Sequence, residues 1–144
     1  MTMLRGLLLP LCLLASLLHA EGDREESALD ISGLEVREPI PGRMMSSAYL
    51  TITNTSAEDR TLLSASADWA GLIEIHTHIH EDGVMRMRQL PSLIIPAGES
   101  RVFEPGGLHL MLFRLSLPLP ETLTMTLCFD DDECLIAEAD LMVP

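Results

Sequence analysis

No stretch of this sequence carries an apolar repeat of helical period over a useful length. Its apolar residues come in short runs, several of them alternating with polar ones, and Gly, Pro, Asn or Asp stands at the ends of most runs. An alternation of period two is what an extended chain needs to bury one side and wet the other. The cleanest run is 47–54, which ends in a polar turn at 54–60, and 61–65 is expected to pair back onto it. Runs 71–80 and 84–90 flank Glu81-Asp82-Gly83, a hairpin turn with Gly where positive φ is wanted. Runs 93–95, 102–103, 108–115, 123–129 and 135–143 complete the series. Short strands at this density predict one all-β domain, an antiparallel β-sandwich over 29–144. With only 3% aromatic residues, its core has to be built from Leu, Ile, Val, Met and Ala.

The N-terminus reads differently. Arg5 precedes an apolar run over 6–18 that closes at Leu18-His19-Ala20, the pattern of a signal peptide spanning 1–20. The run is too short, and too soon followed by the charged Glu21–Glu26 stretch, to favour a membrane span. Cleavage after Ala20 would leave 144 − 20 = 124 residues, the size of one domain, opening with a flexible acidic lead-in over 21–28. The expected location is therefore the periplasm, with no stable membrane insertion after cleavage. All nine basic residues are Arg against 22 acidic ones, giving a formal charge of −13. So acidic a surface argues against nucleic acid and anionic lipid as partners. Two cysteines remain beyond the leader, Cys128 and Cys134, at either end of Phe129-Asp130-Asp131-Asp132-Glu133. An even count in an exported chain predicts a disulfide, and strands pairing on either side of the acidic tip would put the two roughly opposite each other.

The alternating runs also carry the chemistry. In 108–113 the leucines share one face, so His109, Met111 and Phe113 share the other. In 74–80, Ile75 and Ile79 lie on one face and His76, His78 and His80 on its reverse. Across the Asp82-Gly83 turn, Met85 and Met87 fall together, with Arg86 and Arg88 behind them. Alternating methionines can be core filler and isolated histidines can be surface residues, so pattern alone leaves a structural and a metal-binding reading open. What favours the second is that two separate His/Met groups each stand opposite an apolar row. Thioether sulfur is a soft, neutral donor that suits Cu(I) and contributes little to Zn²⁺, Ca²⁺ or Mg²⁺. It has no acidic proton to lose and cannot be consumed as a disulfide, so a Met/His set suits a copper carrier in an oxidising compartment.

The spacing His76-x10-Met87-x21-His109-x-Met111 resembles the H-x10-M-x21-H-x-M pattern of the periplasmic copper chaperones known as PCuAC. The stretches Glu81-Asp82-Gly83-Val84-Met85-Arg86-Met87-Arg88 and Pro105-Gly106-Gly107-Leu108-His109-Leu110-Met111-Leu112 are similar to that family too, as is 48–54. The resemblance covers about 29–143. It implies a cupredoxin-like sandwich that binds Cu(I) through His76, Met87, His109 and Met111. It also implies a copper-accepting partner, chiefly the copper A centre of cytochrome c oxidase subunit II, or another copper chaperone. His80 stands where such sequences often have Met, and the resulting row of His76, His78 and His80, with Met85 nearby, raises an accessory role in which the histidines take Cu(II). Storage or buffering of copper is an alternative function. So is a thiol–disulfide oxidoreductase using Cys128 and Cys134, although the adjacent carboxylates would raise thiol pKa and slow that chemistry. The chain has no Ser-His-Asp order, no Gly-rich phosphate loop and no paired carboxylates in an apolar run. It is expected to carry an ion rather than to catalyse a reaction.

Overall fold

The computed structural model describes residues 27–143. The leader expected at 1–20 and residues 21–26 of the acidic lead-in lie outside the described residues. Ten strands follow one another: β1 (Leu29–Arg37), β2 (Met45–Asn54), β3 (Arg60–Ser66), β4 (Ala70–Glu81), β5 (Val84–Leu90), β6 (Leu93–Ile95), β7 (Ser100–Val102), β8 (His109–Leu115), β9 (Leu123–Phe129) and β10 (Cys134–Met142). The hydrogen-bonded order is β5-β4-β8-β2-β1-β10-β9-β3-β6, with β7 paired to β2. Each pairing is antiparallel except β1 with β10, whose parallel contact from Glu35 to Arg37 joins the two halves of the path. Inward side chains of both halves, among them Ile52, Leu62, Leu110, Leu112 and Leu127, form one buried cluster. That is a two-layer sandwich, closed on a mainly aliphatic core that also buries Trp69, Phe103 and Phe129. Burying each such leucine contributes about 2 kcal/mol. Among the described residues, no helix is long and apolar enough to cross a membrane.

The expected pairing of 61–65 with 47–54 does not occur. β3 pairs with β9 and β6, while β2 lies between β1 and β8. The reason is Asn54, fully buried at the end of β2. Its Oδ1 accepts hydrogen bonds from the Ser56 N–H (3.0 Å) and the Ser56 hydroxyl (2.7 Å). Its Nδ2 donates to the carbonyls of Glu58 (2.8 Å) and Ile95 (2.9 Å). This network turns the chain out of one sheet and into the other, where a tight hairpin would have returned it to the same sheet.

Two details position β4 and β8. At Arg114 the backbone adopts φ 52°, which interrupts the alternation so that Leu112 and Leu115, three apart, both face the core. Arg114 packs over Gly71, where a Cβ would come within 2.9 Å of the arginine's own, and its guanidinium donates to the Gly71 carbonyl at 2.8 Å. β8 is thereby fixed beside β4. At the other end of β4, Asp82 (φ 51°) and Gly83 (φ 76°) make a two-residue turn with both central residues left-handed, closing Glu81 onto Val84.

Cys128 and Cys134 are directly opposite each other on β9 and β10 and are disulfide-bonded, with Cα atoms 4.1 Å apart. Closing so short a loop stabilises the fold by roughly 2 kcal/mol on chain-entropy grounds. The acidic tip between them is partly neutralised by Arg60 at the start of β3, whose guanidinium contacts Asp131 and, at 2.9 Å, Glu133. Burial opposes the charge on Arg60, but these carboxylates outweigh it and hold its pKa above the ordinary value.

Candidate metal centre

The register of the sheet assembles the site. On β4 and β5, His78 stands opposite Met87 and His80 opposite Met85. On β4 and β8, His76 stands opposite His109 and Glu74 opposite Met111. On β8 and β2, Met111 is opposite Ser47. With side chains alternating, all of these project from the outer face, while Ile73, Ile75, Leu110 and Leu112 fill the core behind them. Cross-strand partners have Cβ atoms about 5 Å apart, close enough for imidazole and thioether ends to meet.

They meet at a cleft of about 370 Å³ whose lining includes His78, Met87, His109 and Met111. The exposure of its members is graded. His109 is buried at 4%, whereas Met87 is 43% exposed. The His109 ring is covered by two others, stacked with His78 at a centroid distance of 5.2 Å and tilted against His76 at 5.7 Å. His76 flanks this group, its ring also 6.2 Å from Phe113. His80 and Met85 sit one rung further out, toward the hairpin turn. Of the row of three histidines, the rings of His76 and His78 both lie against His109, whereas His80 is a further strand step of about 6.6 Å away. Among the described residues, no group of three or more His, Cys, Asp or Glu side chains is placed to hold a metal.

Hydrogen bonds set which nitrogen each imidazole offers. His109 Nδ1 lies 3.0 Å from the Gly107 carbonyl, which can only accept, so the proton is on Nδ1 and the lone pair on Nε2. His76 Nε2 lies 2.7 Å from a Glu74 carboxylate oxygen, which accepts, so Nε2 carries a proton and Nδ1 is the nitrogen left to bind a metal. Nδ1 of both His76 and His78 is buried without any hydrogen-bond partner. Buried polar atoms are rarely left so, and two orphaned imidazole nitrogens beside two thioethers fit a soft-metal site. Carboxylate or carbonyl partners behind the imidazoles also match the outer shell that metal-binding histidines usually have.

Burial lowers the His109 pKa below the ordinary 6.5; the Gly107 carbonyl opposes this, and nearby His78 and His76 add to the lowering. Folded protein therefore keeps this ring neutral while the unfolded chain has begun to take up a proton. Stability from this group is lost as pH falls below the unfolded value, until the folded ring titrates too. In a titration of the metal-free protein followed by imidazole NMR, His109 is expected to have its midpoint below 6.5; a midpoint at or above that value would refute the burial argument.

The four residues expected from spacing thus share one face, with Met87, His109 and Met111 in the cleft and His76 at its flank. Three participants were not read from the sequence. Glu74 and Ser47 follow from strand pairing that periodicity alone does not give, and Tyr49, 2.9 Å from the Ser47 hydroxyl through its own, lines the same cleft.

Residues 29–140 match the family described as "Putative lipoprotein LpqE-like". An uncharacterized protein of Rickettsia prowazekii is 33% identical over 97 residues, covering 65% of this chain and 54% of its own length. The chain spans about half the length of the curated relatives it matches. Among solved structures, the copper(I) form of DR1885 from Deinococcus radiodurans is 31% identical, with 79% of each chain covered and a TM-score of 0.64. The copper-bound PCuAC domain from PmoF2 superposes with a TM-score of 0.68 over 82% of this chain and 95% of that domain; at 18% identity it supports the fold alone, which is cupredoxin-like. The match across nearly the whole sandwich makes the chain a member of the LpqE-like family of PCuAC-type domains.

Proposed function

We propose that this protein is an exported Cu(I)-binding metallochaperone that carries copper to an acceptor protein and catalyses no reaction itself. The observation that carries the reading is the convergence of the Met87 and Met111 thioethers with imidazoles on one open cleft, with the only cysteines among the described residues tied in a disulfide between β9 and β10. Such a donor set selects a soft monovalent ion. The copper(I) form of the Deinococcus radiodurans neighbour supports the same cargo. The proposed ligands are His76, Met87, His109 and Met111.

Export to the periplasm is supported by the apolar leader pattern and by the lipoprotein description of the family. The acceptor proposed is the copper A centre of cytochrome c oxidase subunit II. Release follows from the same chemistry as capture. Neutral ligands form no closed thiolate cage, and the exposure of Met87 lets an acceptor's ligand approach the ion from solvent while the buried His109 still holds it. Copper would pass by exchange of one ligand at a time, without a free ion.

Titration of the mature protein with Cu(I) against a chromophoric Cu(I) chelator, under reducing conditions, tests this. One tightly held equivalent is expected. Failure to compete with the chelator would leave a fold without the function.

A further inference from the structure

The motif spacing assigns His76 to copper, yet His78 is the imidazole that lines the cleft with Met87, His109 and Met111. Several observations single out His78. It stands directly opposite Met87 across the hairpin. Its ring stacks on His109 at 5.2 Å, nearer than the ring of His76 at 5.7 Å. Its Nδ1 is buried and has no partner. His76, by contrast, is engaged through Nε2 with Glu74 at 2.7 Å.

We propose that His78 is itself a copper donor of this site, the imidazole that the incoming ion meets first, and that His76 enters the coordination shell after it. The inference rests on the copper-carrier reading above. It gives the site five soft or borderline donors, His76, His78, Met87, His109 and Met111, for an ion that uses fewer at once. A surplus donor lets one ligand arrive before another leaves. The ion then enters between His78 and Met87 at the open side of the cleft and settles toward the buried His109. On release the order reverses, and His78 keeps the ion bound as an acceptor's ligand displaces a thioether. No electron is transferred in these steps. The neutral imidazole gives a lone pair and takes it back, and the copper remains monovalent throughout.

The test uses the full mature chain with Cu(I) kept reduced, and His78→Ala beside His80→Ala as a control from the same histidine row. Two quantities are read: the rate of Cu(I) transfer to a chromophoric chelator, and the shift of the imidazole ¹⁵N resonances on adding Cu(I). Amide spectra of the metal-free variants verify that each remains folded. His78 resonances are expected to move with the first equivalent of copper, and His78→Ala to change the transfer rate by about tenfold, while His80→Ala stays within twofold of the parent. His78 resonances that stay in place, or a His78→Ala rate within twofold of the parent, would overturn the proposal. If the parent takes up Cu(I) and Met87→Ala weakens its binding while His78→Ala changes nothing, only the role of His78 is lost. If the parent takes up no Cu(I), the carrier reading falls and this inference falls with it.

Discussion

Replacing both Met87 and Met111 by alanine is expected to weaken Cu(I) binding by about a hundredfold, or about 2.8 kcal/mol, while leaving the fold intact. The two sulfurs are the soft donors of the proposed ligand set, although a third thioether, Met45, lines the same cleft, and imidazole alone discriminates poorly in favour of a monovalent ion. Removal should therefore also erode selectivity, so that the remaining histidines hold divalent ions comparatively better. Stability should hardly change at Met87, which is 43% exposed and projects from an edge strand, where substitutions usually stay within about 0.5 kcal/mol. Parallel chelator competition and thermal melts separate the two effects. A double variant that binds Cu(I) as tightly as the parent would remove the thioethers from the site.

The second large effect lies at the opposite end of β2 and concerns folding rather than copper. Asn54→Ala is expected to destabilise the protein by about 3 kcal/mol, because it breaks a buried network and leaves the Ile95 carbonyl without its side-chain donor. Asn54 joins the loop after β2 to the strand β6 of the other sheet, so its loss loosens the crossover on which the sandwich depends. For a domain of this size the melting temperature should drop by roughly 10 °C. Copper affinity should not change, because the seven strand steps from Ser47 to Asn54 span roughly 23 Å. A melting temperature within two degrees of the parent, or a large loss of copper affinity, would contradict this division between scaffold and site.

The site was more legible in the sequence than the scaffold that holds it. Clean alternation on β8 and on the β4–β5 hairpin put His109 with Met111 and His76 with His78 and His80, and the Asp82-Gly83 turn fixed the register that sets methionine against histidine. What the pattern could not give was that β8 lies beside β4, a pairing between segments about thirty residues apart that depends on how Arg114 packs over Gly71. β1 shows no clean alternation in the sequence because its register shifts between Ser32 and Glu35, around Gly33 at φ 59°. β3 was given the wrong neighbour because a polar turn looks alike whether it returns the chain to its own sheet or passes it to the facing one. The difference is made by the buried amide of Asn54. The contrast between His76 and His78 was invisible for another reason: both lie on one face by period, and what distinguishes them is the cross-strand partner of each and the hydrogen bond of His76 to Glu74.

The central claim is that sulfur and imidazole from separate strands surround a single copper ion. X-ray absorption at the copper edge of the Cu(I)-loaded mature protein tests it most directly. A mixed shell of thioether sulfur and imidazole nitrogen around monovalent copper, losing its sulfur in the Met87→Ala, Met111→Ala variant, is the predicted result. A shell made only of nitrogen and oxygen in the parent protein, or one unchanged in the variant, would contradict it.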